Sequence, residues 1–182
     1  MRLLITLFFL FIFNLYANDL DKSNTTLPTK ETAYIDSMAL GIGKTNRHKD
    51  IQRLSIQKDF KERIDLIDIE IEGYFDFAFN RFDFDKKDTY SLSITPIFKY
   101  DFTPINDFTP YAFAGIGASF LSHTYGDDRR YSTSFQFEDR IGMGIRKDKI
   151  DFQLAYMHIS NASIKEPNEG IDSILLNLIY HY

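Results

Sequence analysis

The feature that most constrains this chain is a two-residue alternation sustained over a long run. Ile67, Ile69, Ile71, Gly73, Phe75, Phe77 and Phe79 alternate with Asp68, Glu70, Glu72, Tyr74, Asp76, Ala78 and Asn80. A helix would scatter both sets around its circumference, whereas a strand sends successive side chains to opposite faces and so separates them. One face is then apolar and aromatic and the other largely acidic. In a small soluble sandwich the acidic face meets water. In a membrane barrel it lines the interior and the Ile/Phe face meets lipid.

The same parity recurs along the chain. Tyr90, Leu92, Ile94, Pro96, Phe98, Tyr100 and Phe102 form one row. Others are Phe135, Phe137, Ile141, Met143 and Ile145, then Ile150, Phe152, Leu154 and Tyr156, then Ile174, Leu176, Leu178, Tyr180 and Tyr182. Weaker strands are read at about 33–43, 49–60 and 110–121, which makes eight. Connections near 61–65, 103–109 and 147–149 read as tight. Those near 44–48, 81–89, 122–133 and 161–171 are mostly longer and polar, the asymmetry of outer-membrane barrels. The expected fold is all-β: an eight-stranded antiparallel up-and-down transmembrane β-barrel. A soluble sandwich or lipocalin-like barrel is the alternative. Eighteen Phe and eleven Tyr spread through a chain of negative mean hydropathy suit the membrane form.

The N-terminus addresses the chain. Met1-Arg2 precedes an apolar run from Leu3 to Leu15, and Ala17 supplies a small residue for cleavage. A run this short fits a cleaved secretory signal over residues 1–17 better than a membrane anchor. Residues 18–182 then form one domain, opening with a polar segment at 18–30. There is no cysteine, which excludes thiol catalysis and thiolate metal sites. A net charge of −5 with both signs scattered gives no sign of a nucleic-acid footprint. A C-terminal strand with an aromatic last residue resembles the signal presented to the outer-membrane insertion machinery.

The chemistry concentrates between Tyr156 and Asp172. Continuing the row Ile150, Phe152, Leu154, Tyr156 places His158 and Ser160 on the lipid-facing side. Counting back along the last strand places Asp172 there too. Hairpin partners have a constant index sum, so His158 falls opposite Asp172 and Ser160 opposite Gly170. Polar groups on an apolar exterior are costly unless paired. A serine hydroxyl needs a base to become nucleophilic, and imidazole needs a carboxylate to hold its tautomer. These three residues can supply that set and hydrolyse an ester met sideways from the bilayer. The same His and Ser can also be plain interfacial residues, with Asn161, Asn168 and Gly170 as turn formers.

His158-x-Ser160-Asn161-Ala162, followed by Pro167-Asn168-x-Gly170 and an acid two residues later, resembles the signature of the lipid A 3-O-deacylase family, acyloxyacyl-hydrolase-like enzymes of the outer membrane. The resemblance implies an eight-stranded barrel that hydrolyses the ester-linked 3-hydroxyacyl chain at position 3 of lipid A, with lipopolysaccharide of the outer leaflet as partner. By it His158 is the base, Ser160 the nucleophile, and Asn161, with Ala162 beside it, a candidate for stabilising the oxyanion. It implies no cofactor and no metal, and leaves a homodimer open. The chain departs from it in one respect: Asp172 stands where a Glu is expected, an arm one methylene shorter. Glu166 and Glu169, both in the loop, are the alternative acids.

Other charged groups read as structural. Asp68, Glu70, Glu72 and Asp76 with Arg140 and Arg146 are expected to fill the interior. His123, Tyr125, Asp127, Asp128, Arg129 and Arg130 are expected to form a solvated loop cluster, with contact to lipopolysaccharide as the alternative. His181 belongs at the periplasmic rim, and Pro96 at a bulge or local distortion. A non-enzymatic barrel serving as anchor or adhesin, or another outer-leaflet lipid hydrolase or acyltransferase, are the competing functions.

Overall fold

In the computed structural model each long alternating run becomes a strand that pairs antiparallel with its neighbours, and the last pairs with the first. Residues 35–61, 63–66 and 69–182 are described, with backbone alone at 65, 66 and 69. The expected leader, the polar segment after it, and Ile67 and Asp68 lie outside the described residues. The elements are β1 (Ser37–Thr45), β2 (Asp50–Asp59), β3 (Ile64–Leu66), β4 (Ile69–Phe82), β5 (Thr89–Asp101) and β6 (Thr109–Leu121), followed by β7 (Tyr125–Gly126), β8 (Arg129–Arg130), β9 (Phe135–Lys147), β10 (Ile150–Ser160) and β11 (Ile171–His181). Eight of them, β1, β2, β4, β5, β6, β9, β10 and β11, close the barrel, β1 pairing with β11 from Ser37↔His181 to Thr45↔Ser173. Closure pairs each of these eight strands on both sides, which a structure in hydrocarbon requires.

The two faces fall where the parity puts them. On β11, Ile174, Leu176, Leu178 and Tyr180 are exposed, while Ser173, Leu175, Asn177 and Ile179 are buried inside. On β4, Phe77 and Phe79 point out and Asp76, Ala78 and Asn80 point in. The outward rows form the apolar and aromatic surface of a transmembrane barrel.

The interior is polar and filled. Arg53, from β2, donates to Asp76 at 2.8 Å and to Glu138 at 3.2 Å, and Arg140 lies 3.3 Å from each acid. Thr95 donates to Glu138 and Asn80 accepts from Arg53, so most of the charge is neutralised locally. Asp76 and Arg140 thus sit in the interior as expected. Glu72 pairs with Lys99, and Arg146 with Asp101, nearer the turn end. Glu70 does not belong to this set: its partner is Arg63, and both are exposed. The centre is Arg53, which lies on one of the strands with the weaker alternation.

Two connections and one strand position differ from the sequence reading. The 61–65 segment is not a tight turn, because β3 pairs with the start of β4 and extends a hairpin beyond β2, braced by Arg63 against Glu70 and Glu72. The third outer connection carries its own hairpin, β7–β8, turning at Asp127 in a left-handed conformation (φ 50°). Pro96 makes no bulge. Ile94↔Ala118 and Ile97↔Gly115 keep one register, so the missing proline N–H leaves a local gap in the ladder.

Replacing Arg53 by alanine strands Asp76 and Glu138 beside a single guanidinium, and removing one partner of a buried ion pair costs about 3–5 kcal/mol. The expected result is a clear fall in the midpoint of heat-induced loss of the compact barrel band on gels run without boiling. An unchanged midpoint would contradict the interior network described.

Candidate active site

β10 and β11 pair in the register that the index sum gives, with His158 opposite Asp172. Directly opposed side chains on one face lie about 4.5–5.5 Å apart at Cβ, within reach of an aspartate's short arm. His158 Nδ1 is 2.7 Å from Asp172 Oδ1, so the shorter acid engages the imidazole directly and no water is needed. Ser160 stands two residues further along the same strand. Glu166 and Glu169 bond elsewhere in the loops. Glu166 accepts the Asn168 N–H at 2.9 Å, and Glu169 accepts the Arg130 N–H at 2.6 Å.

His158 and Ser160 share the outward side of the wall, opposite Asp139 and Phe137 of β9. Parity alone would leave both open to lipid. In the structure His158 is half-buried and Ser160 only 4% exposed. The difference comes from the fourth outer loop, residues 161–170, whose Gly170 folds back against the pair. A Cβ at Gly170 would stand 3.0 Å from His158 Cε1 and 3.6 Å from Ser160 Cβ, and its φ is +61°. Only glycine accepts that backbone and that approach together.

The loop is held by the third outer connection. Arg129 Nη1 donates to the Gly170 carbonyl at 2.7 Å and to that of Glu169 at 3.2 Å. Ser132 donates to the Pro167 carbonyl, and Asn161 spends both amide protons on the carbonyls of Tyr131 (2.9 Å) and Lys165 (2.8 Å). Tyr131 itself is buried, which pushes its phenol up to about 12 and keeps it neutral. The Asn161 side-chain amide is therefore a loop staple and has no proton left for an oxyanion. Its backbone N–H donates to Asn168 Oδ1 at 3.1 Å. Ala162 beside it is buried and left-handed (φ 52°), a conformation costly for a residue with a Cβ.

One contributor was not singled out from sequence. Asp139 shares the rung of His158 on its other side, and its Oδ1 is buried without a hydrogen-bond partner among the described residues. An imidazolium formed here therefore lies between two carboxylates. The parity signal was present, since Asp139 falls in the outward row between Phe137 and Ile141. Arg129 and its neighbours form a loop-to-loop brace: Lys86 contacts Asp127 and Asp128, while Arg129 clamps Gly170. His123 pairs with Ser122 Oγ at 2.9 Å and meets the Tyr125 ring edge-on at 6.1 Å. His181 lies at the opposite end, 3.5 Å from Asp151.

Comparison with known proteins bears on this site. The family model described as lipid A 3-O-deacylase (PagL) matches residues 52–181. The lipid A deacylase PagL of Pseudomonas aeruginosa is 39% identical over 88 residues, 48% of this chain and 50% of that protein. The one of Bordetella bronchiseptica is 44% identical over 73 residues, 40% of this chain and 41% of that protein. The chain thus spans about half the length, or less, of the curated relatives it matches. The crystal structure of the outer membrane enzyme PagL superposes with a TM-score of 0.73 at 28% identity, covering 80% of this chain and 99% of that one. A structure from the de novo design of transmembrane β-barrels, 11% identical with a TM-score of 0.51, covers 84% of this chain and all of that one and shares the fold alone.

Gly170→Ala is expected to lower, at least tenfold, any ester hydrolysis that His158 and Ser160 support, because the added methyl must displace the imidazole or unwind the loop. The folded-barrel band should persist. Full activity in this variant would contradict the packing of Gly170 on His158.

Proposed function

The chain belongs to the lipid A 3-O-deacylase family, and on that premise we propose that it is an outer-membrane serine esterase that removes the 3-hydroxyacyl chain ester-linked at position 3 of lipid A. The observation that carries the reading is the direct His158–Asp172 bond on the outward wall, with Ser160 two residues along the same face. An ester of the outer leaflet reaches that face without leaving the membrane.

The steps follow from the roles. Ser160 Oγ attacks the acyl carbonyl as His158 Nε2 takes its proton, while Asp172 holds the Nδ1–H tautomer and stabilises the imidazolium. The tetrahedral oxyanion needs donors. The Asn161 side chain and its backbone N–H are both committed elsewhere, so the support expected from Asn161 and Ala162 falls to the backbone N–H of Ala162. Collapse breaks the bond to the sugar oxygen, which takes the proton from His158. A water, deprotonated by the same base, then releases the 3-hydroxy fatty acid and restores Ser160. The chemistry requires no metal or cofactor. Export by a leader over residues 1–17 and delivery by the outer-membrane insertion machinery complete the reading. The three catalytic groups come from one chain, so a homodimer is not needed to assemble them.

Mass spectrometry of lipid A from cells with and without the protein tests this. Expression should remove one 3-hydroxyacyl chain, and His158→Ala or Ser160→Ala should abolish the change. Asp172→Asn should slow it on the order of a hundredfold or more, and Glu166→Gln should not. Lipid A left unchanged under strong expression would overturn the reading in favour of a non-enzymatic barrel. A product that gains an acyl chain, or hydrolysis confined to phospholipid, would replace it by an acyltransferase or phospholipase.

A further inference from the structure

The carboxylate of Asp172 receives more hydrogen bonds than a triad acid needs for its histidine alone. Oδ1 accepts from Tyr156 Oη at 2.6 Å as well as from His158 at 2.7 Å, and Oδ2 accepts from Asn46 Nδ2 at 3.0 Å. Asn46 lies just past β1, across the seam where the barrel closes, and its N–H also donates to the Asp172 carbonyl at 2.8 Å. We propose that Tyr156 and Asn46 are positioning residues that fix the Asp172 carboxylate on His158, an inference that rests on Asp172 being the acid of the proposed esterase.

A carboxylate at this depth is about a quarter exposed and faces the membrane boundary. Without fixed partners it would turn toward water or head groups, and the imidazole would lose its tautomer control. The two added donors close both alternatives. Tyr156 stands two residues before His158 on the same face, so its hydroxyl takes the second lone pair of the oxygen that holds the imidazole. Asn46 takes the other oxygen from the opposite side. Tyrosines in this belt ordinarily turn their hydroxyls to water or head groups. This one, although the residue is 43% exposed, is spent on the acid at a charge-assisted distance. The bracket also accounts for how the shorter acid stays in place where a longer arm was expected. The nucleophile's machinery is thereby tied to the first outer loop through Asp172.

The test uses the full chain folded in detergent micelles, with lipopolysaccharide as substrate and kcat and KM measured separately. Tyr156→Phe and Asn46→Ala should each lower kcat about tenfold, as expected for one hydrogen bond to a charged group, with KM nearly constant. Asn46→Asp, almost the same shape, should lower it further by setting a second carboxylate against Oδ2. In an Asp172→Asn background, Tyr156→Phe and Asn46→Ala should add little, because they act through that acid. Gel mobility without boiling reports that each barrel is folded. Near-normal kcat in both single variants, with Asp172→Asn impaired, would overturn this inference and leave the triad standing. Equal losses in both backgrounds would also overturn it, placing the two residues in packing or lipid contact. Full activity of Asp172→Asn would instead remove the acid assignment on which it rests.

Discussion

In the hydrocarbon of a bilayer an unpaired peptide N–H or C=O costs several kcal/mol, so a strand can cross only if both its neighbours pair with it. Eight strands meet that condition here by joining β11 back to β1. Once closed, the wall has two surfaces and each side chain is assigned to one by its parity. Apolar and aromatic rows go outward, and ionised groups such as Arg53, Asp76, Glu138 and Arg140 are drawn into the lumen, where they neutralise one another. The closed wall is also rigid, and rigidity is what a reactive constellation built from neighbouring strands requires.

The polar exception on the outer wall is then the informative place. Asp139, His158 and Asp172 occupy one rung across β9, β10 and β11, with Ser160 one step toward the outer rim. The strands supply the cross-strand spacing, and the loops supply cover and restraint. Arg129 and Asn161 tie the third connection to the fourth, and Asn46 ties the first to the acid. On the proposed reading, substrate access from lipid and shelter of the nucleophile are provided by different parts of the same face.

Most of the barrel was legible because period-two patterning is local: the rows of β4, β5, β10 and β11 could be read residue by residue. The His158–Asp172 contact was legible too, since parity and one index sum fix a hairpin register. Arg53 was not, because nothing on its own strand announces partners on β4 and β9. The bonds from Arg129 to Gly170 and from Asn46 to Asp172 join residues far apart in sequence, and loop composition does not encode them. Asn161 shows the limit from the other side. Its residue type suits an oxyanion donor, but only the surrounding carbonyls reveal where its protons go.

The central claim is that Ser160 is made nucleophilic by His158 on the barrel's outer wall. The most direct measurement is covalent capture with a long-chain alkyl fluorophosphonate, which phosphonylates an activated serine with loss of fluoride, followed by peptide mapping of the folded protein. One adduct on Ser160, absent from His158→Ala and sharply slowed in Asp172→Asn, is the predicted result. An unmodified Ser160 in a preparation that still deacylates lipid, or an adduct mapping to another serine, would contradict it.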